Sequence, residues 1–258
     1  MDSKYTFEEQ SDLLNLAAER YNRPEFIASD PIQFPHRYQL KQDIEVSAFL
    51  TATITWGKRP LILKSAEKMH RIMGNSPYTY IMEGRYEKLG QANIHRTFFE
   101  HDMAYLCRGL YAIYREYESC EALFAAQPAG NDRLWQGLAL FRDRIMQAND
   151  IFSQRSNKHI SNPATAACKR LHLALKWLVR NDGIVDLGIW PNISPSELKI
   201  PLDIHVIRTS HQLGLLTRKQ NDRKAVDELT ANLKRFNPND PILYDYALFG
   251  LSESGWVL

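Results

Sequence analysis

The chain has 258 residues, 44% of them hydrophobic, and a formal net charge of +2, enough for one large domain or two modest ones and too balanced to announce a nucleic-acid partner by charge alone. Its apolar runs, such as 46–54, are broken by Ser and Thr and fall short of the roughly 20 residues of a membrane span. The acidic start MDSKYTFEEQSDLL lacks the basic, then unbroken apolar, pattern of a secretory leader, so a cytoplasmic protein with no membrane partner is expected.

Apolar residues recur with a period near 3.6, and no strict alternation is long enough for a sheet, so the expected fold is all-α. Helices are predicted at 7–21, 43–56, 60–73, 98–117, 133–148, 164–180, 203–215, 223–236 and 241–251. Asp240 before Pro241 reads as an N-cap followed by proline in the first turn, and Asp132 reads as the cap of the helix after it. FPHRY at 34–38 and WGKRP at 56–60 place His36, Arg37, Lys58 and Arg59 either on a DNA-facing wall or in a packing loop with solvated charges. In HRTFFEHD at 95–102, Phe98 and Phe99 read as core. Cys107, Cys120 and Cys168 are odd in number and widely spread, which fits buried thiols better than a disulfide framework or a CxxC metal knuckle. The loop SQRSNKHISNP at 153–163 is polar enough to be exposed.

Charge is unevenly placed. Residues 165–235 hold twelve Lys and Arg against seven Asp and Glu, a local +5 that leaves the remainder at −3. Within this region, at about 100° per residue, Lys176 and Arg180 fall within about 20° of Lys169, while Leu171, Ala174, Leu175 and Leu178 gather opposite. That pattern fits a solvated lysine stripe. It also fits a phosphate-facing stripe holding a reactive amine, because a lysine becomes nucleophilic when burial and neighbouring cations favour its neutral form. Arg170, Lys176 and Arg180 are spaced to supply those cations. After a proline-rich break at 181–202, in which Trp190 is either a binding aromatic or a loop anchor, comes IPLDIHVIRTSHQLGLL. Asp203 there is a good N-cap in its own right, and His205 and His211, six apart, do not share a helix face.

The string PLDIHVIR with a following LGL is very similar to the segment carrying the essential aspartate in helix-hairpin-helix DNA glycosylases, where P-V-D-T-H-V-x-R is typical. Asp203 matches that aspartate, and Lys169, in ATAACKRLHLAL, matches the lysine nucleophile of the bifunctional members. Their separation of 34 positions resembles that in the archaeal 8-oxoguanine glycosylases. In YDYALFGL, Phe249 resembles the aromatic that stacks on the flipped base, and Asp245 stands where a residue contacts that base. Two features depart from the superfamily: ISNPATAA replaces the glycine-rich hairpin, and the four-cysteine iron–sulfur loop is absent. Across its whole length the chain also resembles a bacterial family of unassigned function, with blocks such as ACKRLHLALKWLVR and DLGIWPNISPSELKIPLD.

The resemblance implies two helical subdomains flanking a cleft, with 1–160 as one wall and 161–258 as the glycosylase-like region. It implies Lys169 and Asp203 as the catalytic pair, with Phe249, Asp245 and His205 binding substrate and Arg170, Lys176, Arg180 and Arg208 binding DNA. The expected partner is double-stranded DNA with a damaged base such as an oxidised purine; the expected protein is a nucleoid-associated monomer needing no cofactor or metal. A monofunctional or inactive DNA-binding protein of the same fold, and a helical scaffold for protein partners, are the other readings that these residues allow.

Overall fold

The computed structural model describes residues 5–149 and 158–253. Over these the chain is predominantly helical: α1 Phe7–Tyr21, α2 Glu25–Ser29, α3 Lys41–Thr53, α4 Arg59–Met73, α5 Pro77–Met82, α6 Glu100–Glu116, α7 Cys120–Ala125, α8 Arg133–Gln147, α9 Lys169–Val179, α10 Ile204–Gln212, α11 Arg223–Lys234 and α12 Tyr244–Glu253. A two-stranded antiparallel hairpin, β1 Asn93–His95 with β2 Phe98–Phe99, precedes α6. No helix among the described residues is long and apolar enough to cross a membrane.

The chain divides into two compact units, one continuous (Ser29–Asn162) and one split (Met1–Ala28 with Pro163–Leu258). This differs from the expected division at residue 160, because α1 belongs with the C-terminal segment. Thr6 and Glu9 close a capping box at the start of α1, and Leu14, Ala17 and Ala18 form its buried stripe. Helix α1 packs on α12, where a Cβ on Gly250 would come within 2.1 Å of the Tyr21 ring. Gly250→Ala is therefore expected to destabilise the split unit by about 1–3 kcal/mol through overpacking, measured as a lowered urea-unfolding midpoint. An unchanged midpoint would show that the two helices are not so closely packed.

In the continuous unit α3 is buried nearly all round, which hides its periodicity from a search for one polar face. Its Glu45 accepts hydrogen bonds from the Tyr114 hydroxyl at 3.0 Å and from the backbone of Cys120 at 2.9 Å and Glu121 at 3.1 Å. Burial raises its pKa, and these donors and Lys41 act against the rise. The hairpin is pinned to the helices by His95, whose Nδ1 lies 3.0 Å from Ser65 Oγ and whose Nε2 lies 2.9 Å from the Trp56 carbonyl oxygen.

Several expected details are corrected. Phe98 and Phe99 pair as a strand before α6 begins; Phe98 is fully buried, as expected of a core residue. Asp132 and Asp240 do hold the N-cap positions, Asp240 with Pro241 next, but neither side chain makes a capping bond, and Asp240 is bound by Arg180. Of the loop at 153–163, residues 153–157 lie outside the described residues, while His159 and Ile160 are buried. The helix expected at 164–180 begins only at Lys169, because Ala166 bridges to Asp222 and Cys168 takes a left-handed backbone, φ 48 and ψ 34. The three cysteines are buried thiols.

Candidate active site

Lys169 and Asp203 stand at the starts of two different helices of the split unit. The segment entering α9 is tied down before it turns: Ala166 pairs with Asp222, and the Arg223 amide donates to the Thr165 carbonyl at 3.0 Å. Cys168, buried and left-handed, then sets Lys169 as the first residue of α9. A non-glycine residue in that region costs roughly 1–2 kcal/mol, so the turn is held by its surroundings. The approach to α10 is similarly fixed. Lys199 pairs with Asp227 at 2.8 Å, the Ile200 amide donates to Thr230 Oγ1 at 3.2 Å, and Leu202 is buried.

The two side chains meet. Lys169 Nζ lies 3.7 Å from Asp203 Oδ2, with the side chains 28% and 21% exposed. Asp203 serves as N-cap through its other oxygen, Oδ1, which accepts from the amides of His205 at 2.9 Å and Val206 at 3.0 Å. The capping and the catalytic readings of Asp203 are therefore compatible: one oxygen organises the helix, and the second faces the amine.

Beyond this pair, α10 and α12 place a further group together. The His205 and Phe249 rings meet edge to face at 5.9 Å. His205 Nδ1 lies 3.0 Å from Ser252 Oγ, and Arg208 Nη2 donates to the same Oγ at 2.7 Å and to the Ser252 carbonyl at 3.3 Å. An arginine can only donate, so Oγ accepts from Arg208 and keeps its own proton available for His205. Ser252 was not anticipated from sequence. Its position three residues after Phe249, one turn along the same helix face, is the signal that could have found it. Beside Asp203, Ile204 is 75% exposed, an isolated apolar surface at the first turn of α10.

Two of the expected DNA contacts are overturned. Lys176 is 3% exposed and Arg180 only 1%. Lys176 Nζ donates to Asp245 Oδ2 at 2.7 Å and lies 3.4 Å from the centroid of the Tyr246 ring. Arg180 donates to Asp186 at 2.6 Å, to Asp182 at 2.6 Å and to both oxygens of Asp240 at 2.8 and 3.0 Å. The stripe beginning at Lys169 thus runs into protein: α12 and the loop after α9 cover it with carboxylates. Trp190 holds that loop in place, fully buried with its amide donating to the Leu178 carbonyl at 3.0 Å. Asp245 is correspondingly engaged by a buried lysine. Arg170 remains beside Lys169 as a neighbouring cation, and its own burial lowers its pKa. On the underside of the helix, burial and then Lys199 pull the His172 pKa down to about 3.

A family model described as Protein of unknown function (DUF2400) matches residues 30–254. No curated protein and no solved structure matches the chain. The match spans most of the sequence and includes both Lys169 and Asp203; the chain belongs to this family.

Proposed function

We propose that this DUF2400 chain is a DNA base-excision glycosylase of the helix-hairpin-helix type, acting on a damaged base, an oxidised purine in the first instance, flipped out of duplex DNA. The observation that carries the reading is the approach of Lys169 Nζ to Asp203 Oδ2, 3.7 Å apart with both groups reached by solvent. The two residues are separated by 34 positions in the chain and meet at a partly exposed site.

Breaking the bond between C1′ and the base nitrogen sends its electrons to the base and builds positive charge on the sugar. A carboxylate held beside C1′ stabilises that charge. Lys169, once its proton has gone to Asp203 or to solvent, attacks C1′, so that the nitrogen–carbon bond forms as the base leaves with a proton. Opening of the sugar gives a Schiff base. Loss of a C2′ proton then expels the 3′ phosphate by β-elimination. Phe249, edge to face with His205, offers a stacking surface for the extruded base, whose unstacking costs a few kcal/mol. Arg208, exposed on α10 and held by Ser252, is the cation offered to the phosphates. A second reading, a monofunctional glycosylase in which Asp203 activates water, is favoured by the pairing of Lys176 and Arg180 to carboxylates, which removes two cations expected to activate Lys169.

Borohydride reduction in the presence of an abasic-site duplex tests the proposal. The expected result is a covalent protein–DNA adduct, mapped by mass spectrometry to the peptide carrying Lys169 and lost in Lys169→Gln at unchanged melting temperature. Base release without an adduct selects the monofunctional reading. Neither an adduct nor base release from an oxidised-purine duplex would overturn the enzyme.

A further inference from the structure

We propose that the tip of the β1–β2 hairpin and the loop before α4 form a second phosphate-binding patch, with Arg96 and Lys58 contacting the backbone of duplex DNA. The identity of the ligand rests on the reading above; the geometry belongs to the continuous unit alone.

Two segments distant in sequence are locked together here. The His95 ring packs edge to face against Trp56 at 4.7 Å and is hydrogen-bond close to the Trp56 carbonyl at 2.9 Å. The next residue, Arg96, lays its side chain along Gly57, so closely that a Cβ on Gly57 would come within 2.7 Å of Arg96 Nη1. Gly57 itself has φ +95, so it supplies both the turn and the room.

Arg96 is the first of the two tip residues and has φ 48. Glycine or asparagine is the unstrained choice at such a position in a hairpin. An arginine held there costs free energy, yet its exposed guanidinium makes no hydrogen bond or ion pair among the described residues. Lys58 is also exposed, and its ammonium likewise has no partner among them. Arg59 follows, and the first turn of α4 contains no acidic residue, although that end of a helix favours carboxylates. The Arg96 and Lys58 head groups thus stand exposed beside one another's loops, and Arg96 is held against its backbone preference, its carbonyl accepting from Asn93 Nδ2 at 2.6 Å and its side chain lying on Gly57. Strain of this kind persists where a ligand uses it. A row of phosphates fits because it meets both exposed cations at once, without requiring a pocket.

The test is a binding titration of a short undamaged duplex across about 50 to 200 mM salt, using Arg96→Gly and Lys58→Ala beside the wild type. Each variant is expected to bind about fivefold more weakly, with a salt slope smaller by about one. Arg96→Gly is also expected to melt at the same or a higher temperature, because glycine relieves the backbone. Wild-type affinity and slope in both variants would overturn the patch and leave the Lys169–Asp203 reading intact. A loss confined to a destabilised Arg96→Gly, not shared by Lys58→Ala, would also overturn it. Absence of salt-dependent duplex binding in the wild type would overturn both the patch and the DNA reading.

Discussion

Asp203→Asn is expected to slow base release from an oxidised-purine duplex by on the order of 10²–10³-fold, the usual effect of removing one preorganised electrostatic group from a transition state. The same variant keeps the N-cap, since asparagine caps as well as aspartate and presents a carbonyl oxygen to the amides of His205 and Val206. Asp203→Ala loses both functions and in addition costs about 1 kcal/mol of stability. Single-turnover rates and melting temperatures of the two variants separate the roles, which lie on different oxygens of one side chain. If Asp203→Asn releases base at the wild-type rate, the aspartate is only a cap and the proposed chemistry has no electrostatic partner.

Arg180→Met is expected to cost about 3–5 kcal/mol at neutral pH, because it removes one member of a buried ionic cluster and leaves its partners uncompensated. Arg180 holds three aspartates, and its own pKa is raised by Asp186, Asp240 and Asp182 against the opposing effect of burial. Asp186 is fully buried, and burial already lifts its carboxyl above the ordinary range despite the guanidinium at 2.6 Å. Without Arg180 that lift increases. A carboxyl whose folded pKa exceeds its unfolded value of about 3.9 contributes stability at low pH and loses it as pH rises through the folded pKa. The deficit of Arg180→Met relative to wild type should accordingly shrink as the pH falls from about 7.5 toward 5. Urea unfolding at several pH values measures this. A deficit under about 1 kcal/mol, constant with pH, would mean that the cluster is not electrostatically coupled.

The same arginine shows where sequence reasoning reached its limit. A helical wheel placed Lys169, Lys176 and Arg180 on one basic face, and a wheel reads the same whether water or carboxylates cover that face. Asp182 and Asp186 follow within six residues of Arg180 and could have suggested neutralisation, but Asp240, just before α12, and Asp245, in its first turn, arrive only as the chain returns some 60 residues later. Long periodic helices were legible, with α1 matching from Phe7 to Tyr21. Short elements such as α2, α5 and α7 span fewer than two turns and give periodicity nothing to register. Asp203 was legible twice over, by capping logic and by motif. Lys169 was legible mainly by resemblance, and the geometry that joins it to Asp203 depends on the left-handed turn at Cys168, which no local preference signals.

The split unit also has a consequence in time. Helix α1 emerges from the ribosome about 220 residues before α12, so at roughly 5–20 residues per second its Leu14–Ala17–Ala18 stripe waits on the order of ten seconds or more for the surface that covers it. The continuous unit is fully synthesised within that interval and can fold first. The order of synthesis thus makes the Lys169–Asp203 unit the last to close, and leaves α1 in the meantime as an exposed amphipathic segment open to a chaperone.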